Sequence, residues 1–271
     1  SNKGYSYSLS LKAEKSFDFG LDLAASYTFT QSKSLCPATS SQAASNWNNT
    51  STYRFSNAPE LGYSAYNLPH MIKASAFYRF HIANNKNFTT TIGVIYQGRS
   101  GSPYSMLYSG DLNGDNGRGN DLMFIPTDEQ IDLMPFKAQG NYTEELQRQN
   151  LKAWLAKTPY LKDHRGEYFK RNADNLPFEN HFDFHVAEKM SVKVGKQVHS
   201  LELSLDILNV GNLLNKDWGR TYGTTYSNEL ISPLTYDGGK FQFLSTPDYV
   251  IKYPQSYYSR WRGQLGLKYT F

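Results

Sequence analysis

Apolar and polar residues alternate with period two along much of this chain, the signature of strands with one apolar face. Tyr5, Tyr7, Leu9, Leu11 and Ala13 share a face, with Ser6, Ser8, Ser10 and Lys12 opposite. After a short turn at Phe17-Asp18-Phe19-Gly20 the alternation resumes through Leu21, Leu23, Ala25, Tyr27 and Phe29. A polar stretch over about 32–68 separates this hairpin from a second one. There Ile72, Ala74, Ala76, Tyr78 and Phe80 lead through a turn at 83–87 to Thr90, Ile92, Val94 and Tyr96. A polar excursion over about 101–180 precedes a third hairpin, in which Phe182, Phe184, Val186 and Met190 face Leu201, Leu203, Leu205 and Ile207 around a turn at Gly195-Lys196-Gln197. A last excursion, about 211–256, leads to a terminal strand carrying Trp261, Gly263, Leu265, Leu267, Tyr269 and Phe271 on one face.

Two regularities set this pattern apart from a soluble sandwich. Each of the about seven expected strands is roughly ten residues or longer, what a tilted strand needs to cross a bilayer, whereas soluble strands run nearer five or six. The connections also alternate short and long along the whole chain, as the turns and loops of an outer-membrane barrel do. The pattern predicts an all-β chain: an antiparallel transmembrane β-barrel segment with long extracellular loops. The C-terminus is expected in the periplasm and the protein in the cell outer membrane. An odd number of strands with open edges is not tolerated in hydrocarbon, so further strands upstream or in partner chains are expected.

Composition sharpens this. Aromatic residues make up 15% of the chain, with 21 Tyr and 16 Phe, yet mean hydropathy is −0.60. That combination suits aromatic girdles around a wet interior as well as a soluble all-β protein. No run nears the ~18 apolar residues of a membrane helix. The net charge of +4 is mild and scattered, which gives nucleic-acid binding no support. The single cysteine, Cys36, reads as an unpaired loop thiol. Ser1-Asn2-Lys3-Gly4 shows no signal peptide, so the sequence reads as a mature fragment or one that begins mid-protein.

The terminal strand, Trp261 through Phe271, resembles the C-terminal signal that outer-membrane barrels present to their assembly machinery. Asp206-Ile207-Leu208-Asn209-Val210-Gly211-Asn212-Leu213-Leu214-Asn215 resembles the penultimate strand and following loop of TonB-dependent receptors, with Asn209 and Asn212 in the family's Asn-x-x-Asn pattern. Asp111-Leu112-Asn113-Gly114-Asp115, Asn120 to Pro126, and the stretches His164 to Glu167, Arg171-Asn172, Leu176 to Phe178 and His181 to Asp183 resemble the Oar-like receptors that carry a carboxypeptidase-regulatory domain in Bacteroidetes. The resemblance implies a 22-stranded barrel, of which this chain is the last seven strands. It also implies an N-terminal plug pulled by TonB and a small ligand, glycan or peptide taken up with that energy.

Candidate chemistry is sparse. Asp111, Asn113, Asp115 and, nearby, Asp121 repeat oxygen ligands at calcium-loop spacing, though Asn116 and Leu122 depart from the EF-hand pattern. The alternative is a metal-free Asn/Asp turn; no cofactor is required. The segment 143–172 predicts one or two helices, with Asn141 and Glu144 as a capping box and Leu146, Leu151, Trp154 and Leu155 as a buried stripe. His181 and His185 share a strand face without zinc geometry. Asp22, Asp183, Glu202 and Asp206 are expected to pair with basic residues of neighbouring strands, such as Lys12, Lys73, Arg79, Arg260 and Arg262. No motif of nucleophilic or nucleotide chemistry is present, and no enzyme activity is expected. Ligand-contact candidates in the loops are Trp47, Tyr53, Tyr63, Tyr104, Tyr108 and Tyr222. Two rival readings stay open: a surface barrel for adhesion or secretion without active import, and a soluble β-rich binding protein.

Overall fold

The computed structural model describes residues 3–37, 40–117, 119–224, 230–244, 253–254 and 256–271; part of the last long connection therefore lies outside the described residues. Its strands are β1 (Tyr5–Ser16), β2 (Leu21–Ser34), β3 (Gly62–Tyr63), β4 (His70–Phe80), β5 (Phe88–Arg99), β6 (Pro103–Ser109) and β7 (Asp174–Asn175). They continue with β8 (Glu179–Val194), β9 (Gln197–Leu208), β10 (Tyr222–Gly223), β11 (Leu230–Asp237), β12 (Lys240–Gln242), β13 (Tyr253–Pro254) and β14 (Arg262–Thr270). Seven long strands form one sheet in the order β1-β2-β4-β5-β8-β9-β14, with the short β3 added on β2. Every neighbouring pair in it is antiparallel. This wall is what the period-two pattern predicts, strand for strand. The outer edges of β1 and β14 have no partner among the described residues.

The register sorts the side chains into two faces. Leu21, Tyr78, Ile92, Val186, Leu205 and Leu265 stand opposite one another across six strands. One residue along, Asp22, Phe77, Gly93, His185, Asp206 and Gln264 form the matching row of the polar face. Shifting any strand by one residue would exchange the two faces, so the hydrophobic pattern fixes the pairing. The apolar face is not covered by the chain: Leu11 and Leu265 are 75% and 77% exposed.

Aromatic rings gather at both ends of that face. Phe19, Tyr78 and Phe80 pack together beside the short turns, as do Tyr269 and Phe271. Toward the long connections lie Tyr7 with Phe29, Tyr27 with His70, and Tyr96 with Phe182. Aliphatic residues and alanines fill the band between, the arrangement of aromatic girdles around a hydrocarbon zone. Of the charged residues in the apolar phase, Lys15 and Glu188 lie toward the short-turn end and Lys33 toward the long connections; Glu188 accepts a hydrogen bond from Thr90 Oγ1 at 2.5 Å.

Turn chemistry closes the hairpins. At Gly20 φ is +97° and an added Cβ would run into the Arg79 carbonyl, while Arg79 N donates to Gly20 O at 2.8 Å. Glycine is required there because it lets two strands meet beside a turn with positive φ. Val194 and Gln197 pair directly, so Gly195, with φ of +63°, and Lys196 make a two-residue turn.

The long connections are not the polar excursions the pattern suggests. Residues of the second and third fold into a cap built on a four-stranded sheet, β12-β11-β6-β7, in which β11 runs parallel to β6. Helices α1 (Ala43–Asn48), α2 (Asp128–Leu133), α3 (Glu144–Lys157), α4 (Pro159–Asp163) and α5 (Val210–Leu214) lie in the connections, and α2 to α4 contribute to the cap core. That core is sealed: Met106, Phe136, Trp154, Phe169, Ile231 and Phe243 are each at most 1% exposed. The wall, in contrast, buries little within itself.

Helix starts also differ from expectation. Thr143, not Asn141, caps α3, its hydroxyl accepting Leu146 N at 3.2 Å. The capping box forms instead at Thr127 and Gln130, before α2. Leu151, Trp154 and Leu155 are buried as the stripe predicts, but Leu146 is exposed and Gln147 takes the inward position. Gln147 fits because its amide donates to Lys137 O at 2.7 Å and accepts Phe243 N at 3.1 Å, so no polar atom is left bare.

Candidate functional site at the long-connection end

All three long connections meet over one end of the wall. Arg171 sits at the join. Its guanidinium donates to Leu35 O at 2.7 Å and to Ser34 O, and its carbonyl accepts Tyr63 N at 3.2 Å. Burial holds the Arg171 guanidinium below its ordinary pKa. Asn172, at φ of +53°, donates from Nδ2 to Tyr63 O and exchanges hydrogen bonds with Ser105. The first connection is thus fastened to the second by backbone and side-chain bonds together.

Between them opens a cavity of about 370 Å³, lined by Lys33, Tyr53, Glu60, Tyr63, Tyr168 and Arg171 among others. Tyr53 stacks on Tyr168 with ring centres 4.6 Å apart, and Lys33 Nζ lies 4.7 Å above the Tyr63 ring. The Tyr53 hydroxyl donates to Glu60 at 2.5 Å, and this bond raises its pKa above the ordinary tyrosine value. An aromatic platform flanked by both signs of charge suits a polar ligand that presents flat faces and hydrogen-bonding groups. A second cavity, about 340 Å³, lies where the third connection meets β8, between Phe178, Phe182, Trp218, Arg220 and Tyr222.

The loop aromatics expected to touch a ligand divide accordingly. Tyr53 and Tyr63 line one cavity and Tyr222 the other. Trp47 lies in α1, its indole donating to Asn57 at 2.8 Å. Tyr104 and Tyr108 are corrected: both are cap-core residues, 2% and 3% exposed, because their segment is the central strand β6 rather than a polar loop. The Tyr104 hydroxyl donates to Asp174, and that of Tyr108 accepts Phe124 N at 3.2 Å. Burial pushes both hydroxyls far above the tyrosine range. The sequence reading missed Tyr168, Lys33 and Arg171, which reach the cavity only through tertiary pairing and carry no local signal.

In the Asp/Asn loop, Asp111 accepts Gly114 N at 2.8 Å and Asn116 N at 3.0 Å, and Asn113 Oδ1 accepts Asp115 N at 2.9 Å. These two residues shape the turn. Asp115 accepts Gly117 N of the loop and the amide and hydroxyl of Ser56 in the first connection, Asp121 accepts Leu112 N and Asn113 N, and no group of three or more His, Cys, Asp or Glu side chains converges as a metal cluster among the described residues.

On the wall's polar face, Arg79 pairs with Asp22 at 2.6 Å as expected, while Asp206 takes His185 at 2.6 Å rather than a lysine or arginine. Asp183 accepts Asn209 N at 2.7 Å. Asn209, in the left-handed region, closes β9 by donating from Nδ2 to Gly219 O and Ser259 O; Asn212 likewise serves Lys216 O and Trp218 O. The Asn-x-x-Asn segment therefore caps a strand end, as its residue types suggest. In β14, Gly263, Leu265, Leu267 and Tyr269 stand opposite Ile207, Leu205, Leu203 and Leu201; Trp261 precedes the strand and Phe271 stacks on Tyr269.

Neither curated proteins nor solved structures yield a match to the chain. A family model, described as an outer membrane beta barrel domain, matches residues 1–229. With long antiparallel strands, one uncovered apolar face and aromatic bands at its two ends, that match assigns the apolar face to lipid: the chain belongs to the outer membrane β-barrel domain family.

Proposed function

We propose that this chain supplies wall strands and ligand-gripping loops of a TonB-dependent outer-membrane receptor. On this reading the seven long strands are the last of a 22-stranded barrel. The short turns and Phe271 face the periplasm, and the terminal strand is presented to the assembly machinery. The cap faces outward, and TonB acts through a plug encoded upstream of Ser1. The observation that carries the reading is the cleft of Tyr53, Tyr63 and Tyr168 with Lys33 and Arg171, held in a folded cap over the end of the wall. Loops serving only as spacers would need neither a sealed core nor a preformed aromatic cleft.

The test uses the native host. Solutes drawn from the medium are compared between cells with the native gene, cells lacking it, cells lacking TonB, and cells carrying Tyr53→Ala with Tyr168→Ala. Loss of the same solute in all three altered strains, with the barrel still at the surface, is the expected outcome. Uptake unchanged after removal of the long connections would sink the reading. A gene-dependent surface phenotype that persists without TonB would favour an adhesion or secretion barrel instead.

A further inference from the structure

The second cavity, where the third connection meets β8, lies on the boundary between lipid face and cap. Asn180 and Phe182 line it, and both share the phase of β8 that sets Phe184 and Val186 against lipid. Tyr96 of the girdle packs on Phe182 with ring centres 4.8 Å apart. Gly98 belongs to the same phase of β5. A Cβ there would run into the Tyr96 hydroxyl and stand 2.9 Å from the Phe178 ring, so glycine lets that ring approach the wall. The opposite side is the turn 215–220. Asn212 Nδ2 donates to Lys216 O and Trp218 O, each at 3.1 Å, and Asn209 Nδ2 to Gly219 O at 2.9 Å. The turn so held keeps Trp218 at the cavity, 56% exposed and outside the cap core.

Polar groups at the cavity keep capacity to spare. The Tyr96 hydroxyl donates to Asn180 Oδ1 at 2.7 Å, which orients the amide and leaves Nδ2 without a partner among the described residues. Arg220 donates from Nε to Lys216 O at 3.2 Å and from Nη2 to Asp217 Oδ1, leaving Nη1 as a donor and Asp217 Oδ2 as an acceptor. Lys216 is exposed and forms no ion pair among the described residues, so the turn carries one positive charge beyond what Asp217 neutralises. Aromatic faces, donors, an acceptor and an excess of positive charge thus line or flank one cavity of about 340 Å³.

We infer that this cavity binds the headgroup of a glycolipid, a phosphorylated sugar carrying acyl chains, from the leaflet that the long connections meet. A sugar ring has an apolar C–H face that packs on aromatic rings, and hydroxyls that both donate and accept. A plain phosphate headgroup would use the cations but leave Trp218, Phe178 and Asp217 without a part. A sugar without chains would use the cavity but not the lipid face it adjoins, where Phe184 and Val94 continue from Phe182 and Tyr96. The inference rests on the assignment of the apolar face to lipid and stands apart from the transport reading.

The experiment takes the full-length protein, purified in detergent and freed of co-purifying lipid. Three probes are titrated separately: lipid A, phosphatidylglycerol, and glucosamine 6-phosphate, a sugar phosphate without chains. Native mass spectrometry is expected to show saturable retention of lipid A, with each of the other two at least tenfold weaker. Trp218→Ala and Arg220→Ala should each weaken lipid A retention tenfold or more, whereas Tyr7→Ala, a girdle ring on β1, should leave it unchanged. No saturable retention of lipid A would overturn the inference, as would either other probe binding equally well. So would retention that survives both Trp218→Ala and Arg220→Ala. Hydroxyl-radical footprinting of the unaltered protein needs no variant: lipid A should protect Trp218 from oxidation, and unchanged labelling would also overturn the assignment.

Discussion

In the wall, Leu9, Leu11, Leu265 and Leu267 point outward and stand more than 70% exposed, while most charged residues take the other phase. In the cap, Phe136, Trp154, Phe169 and Phe243 are sealed within and charged residues such as Lys152 and Asp132 pair at the surface. The two regions share one chain and similar aromatic content, yet they answer to different solvents. The cap is held by expulsion of apolar surface from water. The wall gains nothing from that between its own strands. What holds it is a full ladder of backbone hydrogen bonds that hydrocarbon makes obligatory, together with lipid against its apolar face.

Substitutions that act on one region and spare the other test this contrast. The largest effect is expected from Trp154→Ala, which opens a cavity in the cap core and should cost about 3–5 kcal/mol. Limited proteolysis should then cut the second connection while the barrel keeps its heat-modifiable migration; loss of both together would show that the cap is no independent core. Val186→Arg places a charge in the middle of the lipid-facing row and should cost about 2–4 kcal/mol, read from reversible unfolding in vesicles. A cost near zero would mean that this face does not meet lipid.

Gly93→Val comes next. Phe77 lies across Gly93 on the polar face, so a side chain there would displace the ring, at about 1–3 kcal/mol by the same unfolding assay. Asn209→Ala should cost a comparable amount, because two carbonyls lose their donor and alanine must adopt a left-handed backbone. The smallest effect is expected from Arg79→Ala. Its pair with Asp22 is open to solvent, and about 0.2–1 kcal/mol is all such a pair contributes. A larger loss would place that pair in a more enclosed interior than the seven strands make.

The wall was legible because its rule is local. Alternate residues of one strand share a face, so Leu201, Leu203, Leu205 and Ile207 declare their environment within a short stretch. The cap is assembled from short elements of different periods. Its core takes Met106 and Tyr108 from one strand, Trp154 from a helix, and Ile231 and Phe243 from a distant connection. Tyr104 and Tyr108 therefore read in sequence as ligand-contact candidates of a long loop and are core residues in the fold. Gln147, a polar residue in a core position, could not be placed without knowing which carbonyls it serves. The Asp/Asn loop was legible as a turn rich in oxygen, but its anchor was not: Asp115 accepts from Ser56, far away in sequence. The cleft was half visible, through Tyr53 and Tyr63, and its cationic side was not.

The parallel pairing of β6 with β11 joins strands far apart in the chain. Each hairpin of the wall joins neighbours in the chain and can zip as soon as both strands emerge. Ser105 meets Leu230 across a stretch of chain that holds the whole β8–β9 hairpin. Contacts so distant carry the largest entropic cost of closure and form slowly. The cap is therefore expected to close late, after the wall beneath it is in place. Until then its apolar segments travel unsheltered, and chaperoning of this chain before insertion would have to cover the cap as well as the strands.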